Sequence, residues 1–162
     1  MNAQDVLESL GPYAATLIVG FLGALFPVVN IEVFLLAAGA IASGSYPVWT
    51  LGVVAGFGQM GGKCILYWIA RAAVNSQADR RHSSERADGL RRRMGAMSPW
   101  MLSGFNFVSA LTGVPPFMLV SIIAGVIEMK FWQFAATGLT GRVVRLVAIV
   151  TFPQAIKGLF IE

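Results

Sequence analysis

Residues 56–63 read Gly-Phe-Gly-Gln-Met-Gly-Gly-Lys, and the fold turns on how they are understood. Taken literally, Gly56 to Gly61 spell GxGxxG, the fingerprint of a dinucleotide-binding loop. That pattern works only between a buried strand and an opening helix in a βαβ unit, where backbone N–H groups face a pyrophosphate. A P-loop would need a glycine at position 57 and Ser or Thr at 64, where this chain has Phe57 and Cys64. No strand precedes the stretch. Its glycines continue a series, Gly52, Gly56, Gly58 and Gly62, inside one long apolar run. Gly52/Gly56 and Gly58/Gly62 are small-xxx-small pairs, which let helices approach closely in lipid. The stretch therefore reads as a membrane helix, and nucleotide binding is excluded.

The surrounding chain agrees. It has 162 residues, 56% of them apolar and only 12% charged, with a mean hydropathy of +0.70. Soluble domains carry about 25% charge. Residues 11–31, 33–62 and 94–127 contain no charge at all, and uncharged apolar runs beyond about 18 residues are candidate membrane spans. The fold class expected is an all-α polytopic membrane protein. The N-terminus lacks the basic region of a secretory signal. The single cysteine, Cys64, has no internal disulfide partner and reads as a small core residue.

The net charge of +4 comes from one segment. Arg71, Arg80, Arg81, Arg86, Arg91, Arg92 and Arg93 share it with Asp79, Glu85 and Asp88. It has no aromatic residue to stack bases, so a nucleic-acid partner is not expected. It joins two apolar runs, and the positive-inside rule makes Arg71–Arg93 a cytoplasmic loop. Attraction to anionic lipid headgroups follows from the same charge.

The order of segments is a repeat. Residues 1–10 read as an interfacial helix. Residues 11–44 are apolar and broken at Phe26-Pro27-Val28-Val29-Asn30, and residues 47–71 are one long apolar helix. The polar loop occupies 72–96. Residues 97–127 are apolar and broken at Thr112-Gly113-Val114-Pro115-Pro116, 131–152 form a second long helix, and 153–162 a tail. Ala38-Gly39 follows the first break and Ala124-Gly125 the second. Gly58-Gln59 lies in the first long helix and Gly141-Arg142 in the second. Each arm of a broken segment is short of the roughly 30 Å hydrocarbon core at about 1.5 Å per residue. Two such arms suit a re-entrant hairpin, whose tip must be enclosed by protein or line a wet cavity. Pro27, Gly113, Pro115 and Pro116 mark the two tips. With each hairpin followed by a crossing helix, the halves have opposite orientation, an inverted repeat, and both termini lie outside. Four to six ordinary spans are the competing topology.

Charges at membrane depth are costly and serve function by default. Glu32 lies just past the first tip. Arg142 is eleven residues into its helix, about 16 Å deep, with Arg145 one turn on along the same face. Gln59 is about 18 Å into the first long helix. Lys63, eight residues before Arg71, is placed to snorkel to the cytoplasmic interface. Two arginines and one acid suit either a structural ion pair or a net-positive pocket for a phosphate-bearing headgroup. Asn30, Ser109 and Thr112 stand near the tips, as helix caps or as ligand contacts. Trp49, Trp68, Trp100 and Trp132 read as interfacial anchors. His82 reads as a solvated loop residue. No His/Cys/Asp/Glu group has metal-ligand spacing, and Ser109 and Ser121 have no histidine partner. No metal, cofactor or enzyme activity is expected. The glycine-rich helices would serve a homo-oligomer or packing within one chain equally well.

Two blocks of residues then resemble a known family. Phe26-Pro27-Val28-Val29-Asn30-Ile31-Glu32, Ala38-Gly39, Gly58-Gln59 and Tyr67-Trp68 resemble the first half of the DedA, or VTT-domain (SNARE-associated), membrane proteins. Ser109 to Phe117, Ala124-Gly125, Phe134 and Gly141-Arg142-Val143-Val144-Arg145 resemble the second half. The Pro-Pro tip and Gly-Arg-x-x-Arg are similar to the small YqaA-like branch. The resemblance covers about residues 20–150. It implies two facing re-entrant hairpins in a bacterial inner membrane and transport of lipids, either polyprenyl phosphates or phospholipids, by flipping or scrambling. Proton- or ion-coupled solute transport and a non-transporting scaffold are the alternatives. Larger members carry Asp where this chain has Gln59, and an arginine in the second hairpin that is missing from Ser109 to Pro116. Arg142 and Arg145 would supply that charge here.

Overall fold

The computed structural model describes residues 11–26, 29–42, 47–77, 89 and 98–160. The expected interfacial helix at 1–10, the tip residue Pro27, His82 and all the loop arginines except Arg71 lie outside the described residues. Among the described residues the order is α1 (Pro12–Leu25), α2 (Ile31–Ala42), α3 (Val48–Gln77), α4 (Pro99–Thr112), α5 (Phe117–Val126) and α6 (Phe131–Phe160), with no strand.

Local chemistry sets these boundaries. Pro12 and Pro99 occupy first-turn positions, where the missing N–H costs nothing. Ser98 caps α4, its hydroxyl accepting from the Met101 N–H at 3.3 Å. Phe26, ahead of Pro27, is extended, as a residue before proline prefers, and α1 stops there. The Asn30 side chain accepts from the N–H groups of Glu32 at 3.0 Å and Val33 at 3.4 Å, which starts α2. Replacing Asn30 by Ala is expected to cost about 1 kcal/mol, read as a lower melting temperature in detergent. Glu128 closes α5 with φ 55, and the Met129 N–H returns to the Ala124 carbonyl at 3.0 Å, a Schellman-type end.

Two helices run beyond their expected ends. α3 continues past Arg71 to Gln77, because Ala72, Ala73 and their neighbours favour helix and no breaker intervenes. α6 passes through Pro153 to Phe160. Proline fixes a helical φ and removes one donor, so it need not end a helix whose other turns are intact. α6 contains a span, Phe131–Pro153, that is long and apolar enough to cross a membrane. α3 has the length but not the apolarity, because Gln59, Lys63 and its glycines dilute it.

The chain divides into two compact units, Met1–Gly62 with Arg142–Glu162, and Lys63–Gly141. In the first, the core is Ile31, Leu35 and Ala38 of α2, Val48, Leu51 and Ala55 of α3, and Leu146 and Val150 of α6, each set recurring on one helical face. Glycines allow backbone-to-backbone contact there. A Cβ on Gly20 would lie 2.9 Å from the Ala55 carbonyl oxygen, and one on Gly52 would lie 2.8 Å from Val147 Cα. Gly58 sits against the Leu17 carbonyl and the Phe21 N–H of α1. The second unit has an aromatic core. Tyr67 stacks on Phe134 at 5.0 Å and Phe134 on Phe117 at 6.1 Å. Gly141 sits against the Phe107 carbonyl and the Leu111 N–H of α4, and Gly125 against the Tyr67 carbonyl of α3.

Each unit follows the same internal scheme. In the first, the leading hairpin helix α1 packs on α3 and the trailing one, α2, on α6. In the second, α4 packs on α6 and α5 on α3. Gly58 and Gly141 each touch the carbonyl of one residue and the N–H four positions on, so the two contacts have one geometry.

Hydroxyls bond within their own helices. Thr16, Ser121, Thr137, Thr140 and Thr151 each donate to the carbonyl four residues back. Large apolar side chains face outward, among them Val33, Ile69 and Phe152 at 62%, 61% and 67% exposure. The four tryptophans are all exposed. Such a surface is costly in water and suits lipid.

Candidate functional site

The first unit gathers the charges. Capped by Asn30, α2 opens with Glu32 in its first turn, where the helix dipole favours an acid. Arg145 of α6 donates to it twice, from Nε at 2.9 Å and Nη2 at 2.7 Å, both to Oε1. The pair is partly exposed, 23% for Arg145 and 34% for Glu32. Convergence on Oε1 leaves Oε2 outside this pairing. One turn earlier on α6, Arg142 is buried. The local balance is two guanidinium groups to one carboxylate.

Gln59 and Arg142 flank one close contact of the same unit. Gly56 of α3 packs against Val143 of α6; Arg142 precedes Val143 and Gln59 lies one turn past Gly56. Gln59 is 5% exposed, and its Oε1 is a buried acceptor without a hydrogen-bond donor. Buried polar atoms are nearly always paired, so such an atom marks a place where a donor is wanted. The structure therefore brings Asn30, Glu32 and Arg145 together directly and sets Gln59 and Arg142 around a single helix crossing.

Lys63 differs from expectation. It is 5% exposed, covered by protein along its length. The reason is the length of α3: with the helix ending at Gln77, Lys63 falls at its middle.

The second hairpin tip, in the other unit, closes on itself. Ser109 donates to the Pro115 carbonyl at 2.7 Å. Thr112 Oγ1 lies 2.8 Å from the Val108 carbonyl and 3.1 Å from that of Val114, and it accepts from the Val114 N–H at 3.2 Å. Gly113 takes φ 79 and its N–H returns to Ser109. The Val114–Pro115 bond is cis, and the Pro116 carbonyl accepts the N–H groups of Leu119 and Val120 in α5. Ser109 and Thr112 thus seal the backbone that Gly113, Pro115 and Pro116 leave open.

Asn106 has no counterpart among the residues expected from sequence. It is 1% exposed, and Nδ2 donates to the Phe134 carbonyl at 3.0 Å and to Thr137 Oγ1 at 2.8 Å. Thr137 spends its own proton on Gln133, so the amide orientation is fixed by its neighbours. Oδ1 is left buried without a donor, at a cleft of about 10 Å³ lined mainly by Leu102, Phe105, Val120 and Met129. An amide in an uncharged run was the available signal. Tyr67, the neighbour of the exposed Trp68, is fully buried, and its hydroxyl donates to the Met129 carbonyl. Among the described residues no three His, Cys, Asp or Glu side chains come together as metal ligands would.

Comparison with known proteins agrees with the helical, lipid-suited architecture. No curated protein and no solved structure matches the chain. The model of the VTT domain matches residues 17–154, which takes in every described helix except the first turn of α1 and the last turns of α6. The chain belongs to the VTT-domain family, DedA-like membrane-associated proteins of transporter-like rather than enzymatic character.

Proposed function

We propose that this protein moves phosphate-bearing lipid headgroups, of a polyprenyl phosphate or a phospholipid, between the leaflets of a bacterial inner membrane. The observation that carries this reading is the charge cluster of the first unit. Arg145 is held on Glu32 while Arg142 sits buried one turn away, so the cluster has a net positive charge among the apolar residues of its unit. Arginine presents a planar fork of donors suited to phosphate. Gln59 Oε1 and Glu32 Oε2 add acceptors that a hydroxyl or ammonium on the headgroup would meet. Asn30 positions Glu32, and in the other unit Ser109 and Thr112 hold the second tip in shape.

The inverted repeat belongs to the same reading. The hairpin helices have 14, 12, 14 and 10 residues, at most about 21 Å each at 1.5 Å per residue, too short to span lipid alone. The shared internal scheme of the two units, and the matched contacts of Gly58 and Gly141, support two copies of one hairpin-plus-helix element. The Arg71–Arg93 loop would then be cytoplasmic and the termini external. The headgroup would move along the charged cluster while its tails stay in lipid.

The test is headgroup accessibility in proteoliposomes, using fluorescent phospholipids and a polyprenyl phosphate, with and without a pH gradient. The expected result is flipping above that of empty vesicles for phosphate-bearing lipids. Flux of a small solute driven only by the gradient would favour the coupled-transport alternative. No movement of any lipid by folded protein would sink the lipid reading and leave a scaffold role.

A further inference from the structure

Arg71 belongs to the second unit, six residues before the end of α3. An arginine at a membrane interface usually snorkels on a flexible stem. This one is held. Its Nη1 donates to the Tyr67 hydroxyl at 2.7 Å, and Tyr67 is itself fully buried and tied to the Met129 carbonyl. The guanidinium lies 5.7 Å from the Trp68 ring centre and 6.0 Å from that of Tyr67. Stacking and one hydrogen bond use a face and one donor, leaving the Nε and Nη2 edge for another partner. Among the described residues no carboxylate lies within ion-pair distance of Arg71.

The same Tyr67 link ties Arg71 to the turn that precedes α6. Met129, whose carbonyl takes the Tyr67 proton, is followed by the exposed Lys130. From there an aromatic strip runs outward: Trp68 to Phe131 at 5.6 Å and Phe131 to Trp132 at 5.9 Å, with Trp68 51% and Trp132 80% exposed. The turn contains one acid, Glu128. Two cations and an apolar aromatic strip are the parts that an amphiphile with an anionic phosphate would need, because phosphate meets the donors while glycerol and upper acyl chain meet the rings.

We propose that Arg71 and Lys130 form a seat for the phosphate of an anionic phospholipid, held at the membrane surface against Trp68, Phe131 and Trp132. Tyr67 is the positioning residue that keeps Arg71 turned toward it. This site shares no residue with the Glu32 cluster and stands whether or not the protein moves lipid.

The experiment keeps Trp68 as the single tryptophan, with Trp49, Trp100 and Trp132 changed to Phe, in phosphatidylcholine vesicles. Quenching by dibrominated phosphatidylglycerol is compared with quenching by dibrominated phosphatidylcholine. Two cations at about 1 kcal/mol each, less repulsion from Glu128, give a preference of about tenfold for the anionic lipid. Arg71→Gln and Lys130→Gln should each lower the preference to about threefold or less. Tyr67→Phe, which keeps the charge but frees the guanidinium, should lower it as well. If Tyr67→Phe does not fold, the partly exposed Arg71→Gln variant still decides. Equal quenching by the two lipids would overturn the proposal. So would a preference that survives the Arg71→Gln/Lys130→Gln double variant, since it would then arise from other cations. Excess inorganic phosphate is expected to leave the quenching unchanged; displacement by it would mean a site for a soluble anion, not a lipid.

Discussion

Exchanging the two charges, Glu32→Arg with Arg145→Glu, is expected to yield a protein that folds like wild type and does not flip lipid. Each single change places two like charges together where a paired acid and base stood. The exposure of the pair limits that penalty to about 1–2 kcal/mol, short of the 3–5 kcal/mol of a fully buried pair. The exchange restores an ion pair at the same two positions and should recover most of the lost melting temperature. Transport follows different logic. A charged hydrogen bond to a ligand contributes about 1.5–3 kcal/mol, so flux should fall about ten- to hundredfold when the fork is moved to α2 and a carboxylate faces Arg142's turn. Arg142→Ala should lose flipping too. If the exchange restores flipping along with stability, the pair is a lock between α2 and α6 and the transport site lies elsewhere.

Gly58→Val is expected to be the most damaging apolar substitution in the first unit. A Cβ at Gly58 would collide with the Leu17 carbonyl, and its obstacles are backbone atoms of α1, which cannot rotate aside. Separating the helices by even part of a methyl radius should cost about 3 kcal/mol, or roughly 10 °C in melting temperature. Gly141→Val should behave alike, since its contact with Phe107 and Leu111 has the same form. Gly104 is the control. Nothing lies within 4 Å of its Cβ position, so Gly104→Ala should be neutral or stabilise α4 by up to about 1 kcal/mol. A detergent melt of the three variants measures both halves of the expectation; equal behaviour of Gly58 and Gly104 would show that close approach does not hold the unit together.

The breaks at residues 26–30 and 112–116 were legible because proline and glycine interrupt helices by covalent geometry, which sequence states directly. The charge cluster was legible for a related reason: so few charges occur in the apolar runs that Glu32, Arg142 and Arg145 had to be partners or ligands. Helix ends were harder. Arg71 looked like a terminus because interfacial arginines usually mark one, yet helix propensity carried α3 six residues further. Pro153 looked like a stop, yet its ring is tolerated inside α6. Faces were hardest. Tyr67 and Trp68 are adjacent and alike in composition, but one is fully buried and the other half exposed, because a helix turns about 100° per residue and only packing decides which side is inward. Asn106 escaped notice because its importance lies in the backbone carbonyl and hydroxyl that α6 presents to it.

The division into units has a consequence for how the chain is made. Lys63–Gly141 is continuous in sequence, whereas the first unit needs both Met1–Gly62 and Arg142–Glu162. A ribosome therefore releases every residue of the inner unit before it has supplied Arg145, Leu146 or Val150. Until then Glu32 has been delivered to the membrane without its counter-ion, and Ile31, Leu35 and Ala38 lack one wall of their core. The pair of Glu32 and Arg145 is therefore among the last contacts that the growing chain can make.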